Sequence, residues 1–182
     1  MRVIAGQFRS RRLKSVPGLA VRPTPDRLRE SLFNVLAPRL TGKRFLDAYA
    51  GSGAVGIEAL SRGAKHVVLI ERSAKALDVL RENLRTLEIE QEVTVVRGSA
   101  PVLLHNYPCE IAFIDPPYEQ VDEYTNSLGA LAETRAELVI AQHPSKLALN
   151  DQYGRLRKVR VLRQGDNSLS FYEGELEIST GK

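Results

Sequence analysis

The sequence predicts one α/β domain built on a mostly parallel sheet, and three observations carry that expectation. From Lys43 onward, short apolar runs alternate with amphipathic stretches, the rhythm of successive βαβ units. A glycine-rich turn, Gly51-Ser-Gly53-Ala-Val-Gly56, follows the first of these runs and opens a helical stretch. After Pro144 the rhythm changes to two strand-like runs joined by Gln164-Gly165-Asp166-Asn167, an antiparallel hairpin suited to a sheet edge.

The elements can be justified in chain order. Residues 1–22 read as a short β-rich arm carrying Arg9, Arg11, Arg12 and Lys14, closed by Pro17-Gly18. Thr24-Pro25 reads as an N-cap followed by a proline in the first turn, and Leu28, Leu32, Val35 and Leu36 recur at helical spacing. That predicts an amphipathic helix over 25–37, ended by Pro38. Strands are expected at 44–49, 66–71, 93–97, 110–115 and 136–142, and helices at 54–62, 74–87, 99–106 and 121–133. The hairpin strands are expected at 156–163 and 168–177. Five parallel strands finished by a hairpin form the seven-stranded, Rossmann-like sheet of class I S-adenosylmethionine-dependent methyltransferases. The expected organisation is a single domain, 1–182, with 1–24 as its basic arm.

At 182 residues the chain is long enough for a substantial core, and 43% hydrophobic with 26% charged residues matches an ordinary soluble protein. No apolar run approaches the roughly 18 residues of a membrane span, and the N-terminus lacks an apolar signal core. A cytoplasmic monomer is expected. One cysteine excludes an internal disulfide, and His66, His105 and His143 show no metal-ligand spacing with Cys109, so no metal is expected. Charge is unevenly placed. Residues 1–44 hold 11 Lys+Arg against 2 Asp+Glu, a local +9, while the remainder sums to −5. A basic arm on a mildly acidic body points to a phosphate backbone as partner.

Every polar motif falls at the carboxyl end of an expected strand, where open α/β sheets bind ligands. Gly51 and Gly53 let the main chain turn tightly against a ligand, and Glu71, ending the next strand, can accept from both ribose hydroxyls of an adenosine cofactor. Taken literally, this turn also fits a dinucleotide. Asp47 tilts the reading to S-adenosylmethionine, because its carboxylate can face the ammonium of a methionine tail. Tyr49, Arg72 and Ala100 are expected beside the same cofactor, and Ser99 either contacts the adenine ring or caps the following helix.

Ile114-Asp115-Pro116-Pro117-Tyr118 supplies the second half of the chemistry. An exocyclic amine of a nucleobase is a poor nucleophile, because its lone pair is delocalised into the ring. The Asp115 carboxylate and the Pro116 carbonyl can accept its protons, letting the lone pair localise toward the methyl donor. Tyr118 stacks on the base, a contact of about 1–3 kcal/mol. The target base must be single-stranded or flipped out. Pro108-Cys109 mimics the nucleophile of pyrimidine carbon-5 methylation, but six strand residues separate Cys109 from Asp115, roughly 20 Å. His143 lines the cleft or serves structure. Rival readings are a nucleic-acid adenine-N6 methyltransferase, an NAD-dependent oxidoreductase and a catalytically silent RNA-binding factor.

Three stretches carry a family resemblance: Arg22-Pro-Thr-Pro-Asp-Arg-Leu-Arg-Glu-Ser-Leu-Phe-Asn34, then Phe45-Leu-Asp-Ala-Tyr-Ala-Gly-Ser-Gly53, then Asp115-Pro-Pro-Tyr118. They closely resemble the RsmD family of bacterial 16S ribosomal RNA (guanine-N2)-methyltransferases. The resemblance implies transfer from S-adenosylmethionine to the 2-amino group of the guanine at position 966 of 16S rRNA, on an assembled or assembling small ribosomal subunit. It also implies that Thr24 and Asn34 flank the cofactor, and Arg22 and Arg29 the RNA. Gln142 and Ser99 depart from the family pattern, where acidic or amide residues are frequent.

Overall fold

The structure, a computed structural model, describes residues 1–18 and 25–175. Helix α1 (Asp26–Leu40) lays Leu28, Leu32, Phe33, Leu36 and Leu40 inward. It continues past Pro38, beyond the expected stop. Proline there removes the N–H that would bond the Asn34 carbonyl, yet Asn34, Ala37, Pro38 and Arg39 are all exposed, so water can replace that bond. Thr24 lies outside the described residues, and Pro25 stands immediately before the helix.

The sheet follows as β1 (Arg44–Asp47), β2 (His66–Glu71), β3 (Val93–Arg97), β4 (Ile111–Ile114), β5 (Leu138–Pro144), β6 (Gln152–Tyr153), β7 (Leu156–Gln164) and β8 (Asn167–Gly174). Their order is β3-β2-β1-β4-β5-β8-β7-β6. The first five strands are parallel, and β8, β7 and β6 run antiparallel to their neighbours. The sheet therefore has eight strands, not seven. β6 was missed because two residues, Gln152-Tyr153, carry no readable alternation.

Helices α2 (Ala54–Ser61) and α3 (Ala74–Leu87) cover one face together with α1, packing on Phe45, Val67, Leu69, Phe113, Ile140 and Phe171. The opposite face is covered by α4 (Ala100–Leu103) and α5 (Val121–Ala132), over Leu46, Ile70, Ile114, Val139 and Tyr172. Alternate residues of each strand feed the two cores, as a doubly covered parallel sheet requires. The helix expected over 99–106 splits into α4 and a 3-10 turn, Leu104–Asn106.

The arm is less regular than expected. Among its described residues one β-bridge joins Arg2 and Arg12, and the rest is turns, bends and irregular chain. What fixes it is α2. Glu58, fully buried, accepts from the Ile4 and Ala5 amides at 2.8 and 3.0 Å, and Ser61 accepts from Phe8 N and donates to the Ala5 carbonyl. Gly6 turns at φ +81 so close to this helix that a Cβ would lie 1.9 Å from the Ser61 carbonyl oxygen. No other residue fits there.

Candidate active site

The chain winds outward from β1 to β2 and β3, then returns to β4 on the other side of β1. Such a reversal opens a crevice at the strands' carboxyl ends, between β1 and β4. Asp47 ends β1 and pairs in register with Phe113, two residues before Asp115, so the two carboxylates flank this crevice.

On the β1 side, Gly51 (φ +55) and Gly53 (φ +84) hold a conformation that side chains resist, and a Cβ on Gly51 would meet nothing within 4 Å. Open space above a bare main chain is what a closely approaching ligand needs. The Glu71 carboxylate secures the turn, accepting from Gly51 N and Ser73 N at 2.8 Å each. Each oxygen keeps a further acceptor site for a hydroxyl. Gly56 packs α2 onto β2, where a Cβ would lie 2.3 Å from Leu69 Cδ2.

Asp47 is 1% exposed, and its Oδ1 is buried without a hydrogen-bond partner. Burial pushes its carboxyl up to about 7, opposed by the backbone amides of Tyr49 and Gly56 and reinforced by the negative charge of Glu71. An orphaned acceptor costs about 1–3 kcal/mol. A cationic group brought to it would relieve that cost, so these residues fit the ammonium and ribose of S-adenosylmethionine.

Tyr49 turns toward α5, where its hydroxyl lies 2.6 Å from Glu123 Oε2 and 2.7 Å from Ser127 Oγ, and burial raises its phenol. Arg72 is exposed and donates to Gln120 Oε1 at 2.9 Å. With Glu119, Asp122, Glu123 and Asn126 it lines an open cleft of about 520 Å³ between the end of β2 and the start of α5. Ser99 is exposed just before α4 and makes no capping bond, leaving its hydroxyl available; Ala100 is buried behind it.

On the β4 side, Asp115 is half-buried and Pro116 buried. The Pro116 carbonyl accepts from the Tyr124 hydroxyl at 3.4 Å, and Pro117 O accepts from Gln120 N at 2.8 Å. The Tyr118 ring is 43% exposed, and its hydroxyl donates to Asn167 Oδ1 at the start of β8. Sequence reasoning missed Tyr124 and Asn167, whose roles arise from chain segments that meet only on folding.

Other expected residues fall elsewhere. Arg9, Arg11, Arg12 and Lys14 are exposed on the arm; Arg11 donates to Thr86 O at 3.0 Å, and Lys14 pairs with Glu82. Arg22 and Thr24 lie outside the described residues. Arg29 requires correction as an RNA contact. It is fully buried, donating to Arg2 O at 2.6 Å and to Asp26 Oδ1 at 3.0 Å, and so ties the arm to α1. Desolvation lowers its pKa, against attraction from Glu58 and Asp26. Asn34 is exposed on α1, while Leu32 and Phe33 beside it are buried.

Cys109 is buried beside Arg44 and Glu110 at the opposite end of the sheet, its thiol pushed up to about 12 by desolvation. His143 is structural: buried, with Nδ1 2.9 Å from Pro144 O and Nε2 2.8 Å from Ser170 Oγ. Among the described residues no group of His, Cys, Asp and Glu could hold a metal.

Fold and crevice together define a class I methyltransferase. An RNA methyltransferase of Salinibacter ruber, solved with S-adenosyl-L-homocysteine, shares the fold at TM-score 0.66 and 15% identity, covering 88% of this chain and 98% of that one. The family described as Conserved hypothetical protein 95 matches residues 1–173, and this chain belongs to it, the RsmD family. Bacillus subtilis YlbH is 36% identical over 95% of this chain and 98% of its own length. Ribosomal RNA small subunit methyltransferase D of Escherichia coli is 43% identical over 66% of this chain and 61% of that protein. The solved Escherichia coli protein yhhF superposes at TM-score 0.83 with 34% identity, covering 96% of this chain and 98% of that one.

Proposed function

We propose that this protein methylates the 2-amino group of a guanine in 16S ribosomal RNA, at position 966, on the assembled or assembling small subunit. The observation that carries the reading is the pairing across one crevice of an orphaned, buried Asp47 with Asp115 and an exposed Tyr118 ring. Family membership and the ribosomal RNA named for the Escherichia coli relative support the substrate class. The exposed basic arm supports an RNA partner.

When bound, S-adenosylmethionine supplies a methyl group on a positively charged sulfur and leaves as a neutral thioether. The chain's part is placement. Asp47 takes the ammonium, Glu71 the ribose hydroxyls, and the Gly51 main chain permits close approach. Asp115 would accept a hydrogen bond from one N–H of the base amine and take up the proton that the nitrogen releases once methylated. The Pro116 carbonyl, which keeps a lone pair beside the one given to Tyr124, would accept a hydrogen bond from the other N–H. The amine's lone pair is then free to attack in line. Holding two reactants in that geometry supplies much of the acceleration, without a covalent intermediate. Tyr118 holds the flipped base by stacking.

The test is nucleoside mass spectrometry of 16S rRNA from cells lacking this protein. N2-methylguanosine at position 966 should be absent and return when the gene is restored. An undiminished signal would refute the proposal.

A further inference from the structure

Strand β7 presents an open edge. It pairs with β8 along its length, but β6 pairs only with Leu156 and Arg157. From Lys158 to Gln164 no strand covers its outer side among the described residues. The strand carries Arg157, Lys158, Arg160 and Arg163 with no acidic residue, in a chain whose residues beyond 44 sum to −5. Val159 and Val161 are 52% and 43% exposed between these charges.

The charge is not uniform along the edge. At its distant end the acidic residues are engaged: Glu173 pairs with Arg39, and Glu175 with Arg157. Lys158 turns inward to Leu149 O and Asp151. Toward the other end Arg160 and Arg163 are exposed and enter no ion pair among the described residues. Arg160 lies over the Phe171 ring, its guanidinium carbon 5.9 Å from the ring centroid.

That end meets the active site. The turn between β7 and β8 leads to Asn167, which accepts from the Tyr118 hydroxyl. Ser145 bonds the same turn, through Asp166 O at 2.9 Å and Gly165 O at 3.0 Å, and is followed by the exposed Lys146. The basic arm sits on α2 and α3, over the β1–β2–β3 half of the sheet. The β7 edge lies beyond the opposite half.

We infer that Lys146, Arg160 and Arg163 form a second phosphate-binding grip for the RNA strand around the β7 edge, Arg160 and Arg163 projecting from its two faces, on the far side of the crevice from the arm. This rests on the proposed RNA substrate and adds where that RNA is gripped. Two separated grips on either side of the target would hold the flanking nucleotides while the base is turned into the crevice. Edge strands also carry charge merely to prevent self-pairing. The position of Arg163, opposite Ser168 and so next to the Asn167 that holds Tyr118, and the bidentate phosphate geometry of arginine favour RNA.

The test compares the wild type with a Lys146→Gln, Arg160→Gln, Arg163→Gln variant on ribosomal RNA fragments containing the target guanine. Losing three contacts should reduce the slope of log affinity against log salt by roughly 2, at about 0.7 per single-strand phosphate contact. KM for RNA should rise roughly tenfold or more near 0.15 M salt, with kcat, S-adenosylmethionine affinity and thermal midpoint unchanged. An arm variant, Arg9→Gln, Arg11→Gln, Arg12→Gln, should lower the slope independently, and the two effects should add. A wild type that methylates the fragments while the β7 variant keeps its slope and KM would overturn the inference, leaving the edge charges to prevent self-pairing. A wild type inert on every RNA would instead overturn the proposed substrate.

Discussion

The two sides of the crevice are built by different means. On the β1–β2 side the ligand-facing groups are fixed to main chain: Glu71 takes two backbone amides, and Asn83 Nδ2 holds Ser52 O at 2.9 Å. Asp47 is buried outright. On the β4–β8 side phenol hydroxyls serve as anchors, Tyr124 on the Pro116 carbonyl and Tyr118 on Asn167. Main-chain fixation suits a small cofactor that must be oriented identically in every turnover. Side-chain fixation at an exposed rim suits a large partner that arrives from outside. Asn83 also joins the two ends of recognition, since its amide bonds both N and O of Lys14 on the arm, at 2.8 and 3.0 Å.

If the halves are functionally separate, substitutions should separate them. The largest effect is expected from Asp115→Ala, which should cut single-turnover methylation roughly a thousandfold, comparable to removing a group that stabilises a transition state. Cofactor affinity by calorimetry should hardly change. Loss of both together would break the separation. Next, Glu71→Ala should weaken S-adenosylmethionine binding about 100-fold, the loss of two charge-assisted hydrogen bonds. RNA affinity should survive it, and a variant that also released RNA would show the halves to be coupled.

A smaller effect should follow pH. The Asp47 carboxyl sits at about 7, above its ordinary 3.8, so the ligand-free protein retains a proton there that the unfolded chain has lost. Stability should therefore fall as pH rises through that window. A bound ammonium favours the carboxylate, so cofactor affinity should fall by up to about tenfold per unit below pH 7. Calorimetry at several pH values would show proton release on binding. A flat profile between pH 5.5 and 8 would place the ammonium elsewhere. The smallest effect belongs to Asn167→Ala, which removes one anchor of the Tyr118 hydroxyl and should raise KM for RNA about threefold with kcat retained. Steady-state kinetics checks this, and a fall in kcat alone would assign Tyr118 to the chemical step.

Much of this was legible in the chain because strand-and-helix alternation and a glycine turn are local signals. They located β1 to β5, the hairpin and the crevice. What escaped needed chain segments distant in sequence. Arg29 looks like a surface charge beside Arg27, yet α1 turns it under the arm toward Arg2 O. Glu58 gave a usable hint: a single acid in the otherwise apolar Ala54–Ser61 needs a buried partner, and the arm's amides supply it. The β6 strand is too short to show a period.

The most direct measurement is a crystal structure of the protein with S-adenosyl-L-homocysteine. The account predicts its ammonium within about 3 Å of Asp47 Oδ1, its ribose hydroxyls on Glu71, and its sulfur facing Asp115 across the gap between β1 and β4. Density for the ligand in the neighbouring cleft of Arg72, Asp122 and Asn126, with Asp47 Oδ1 still unpaired, would contradict it.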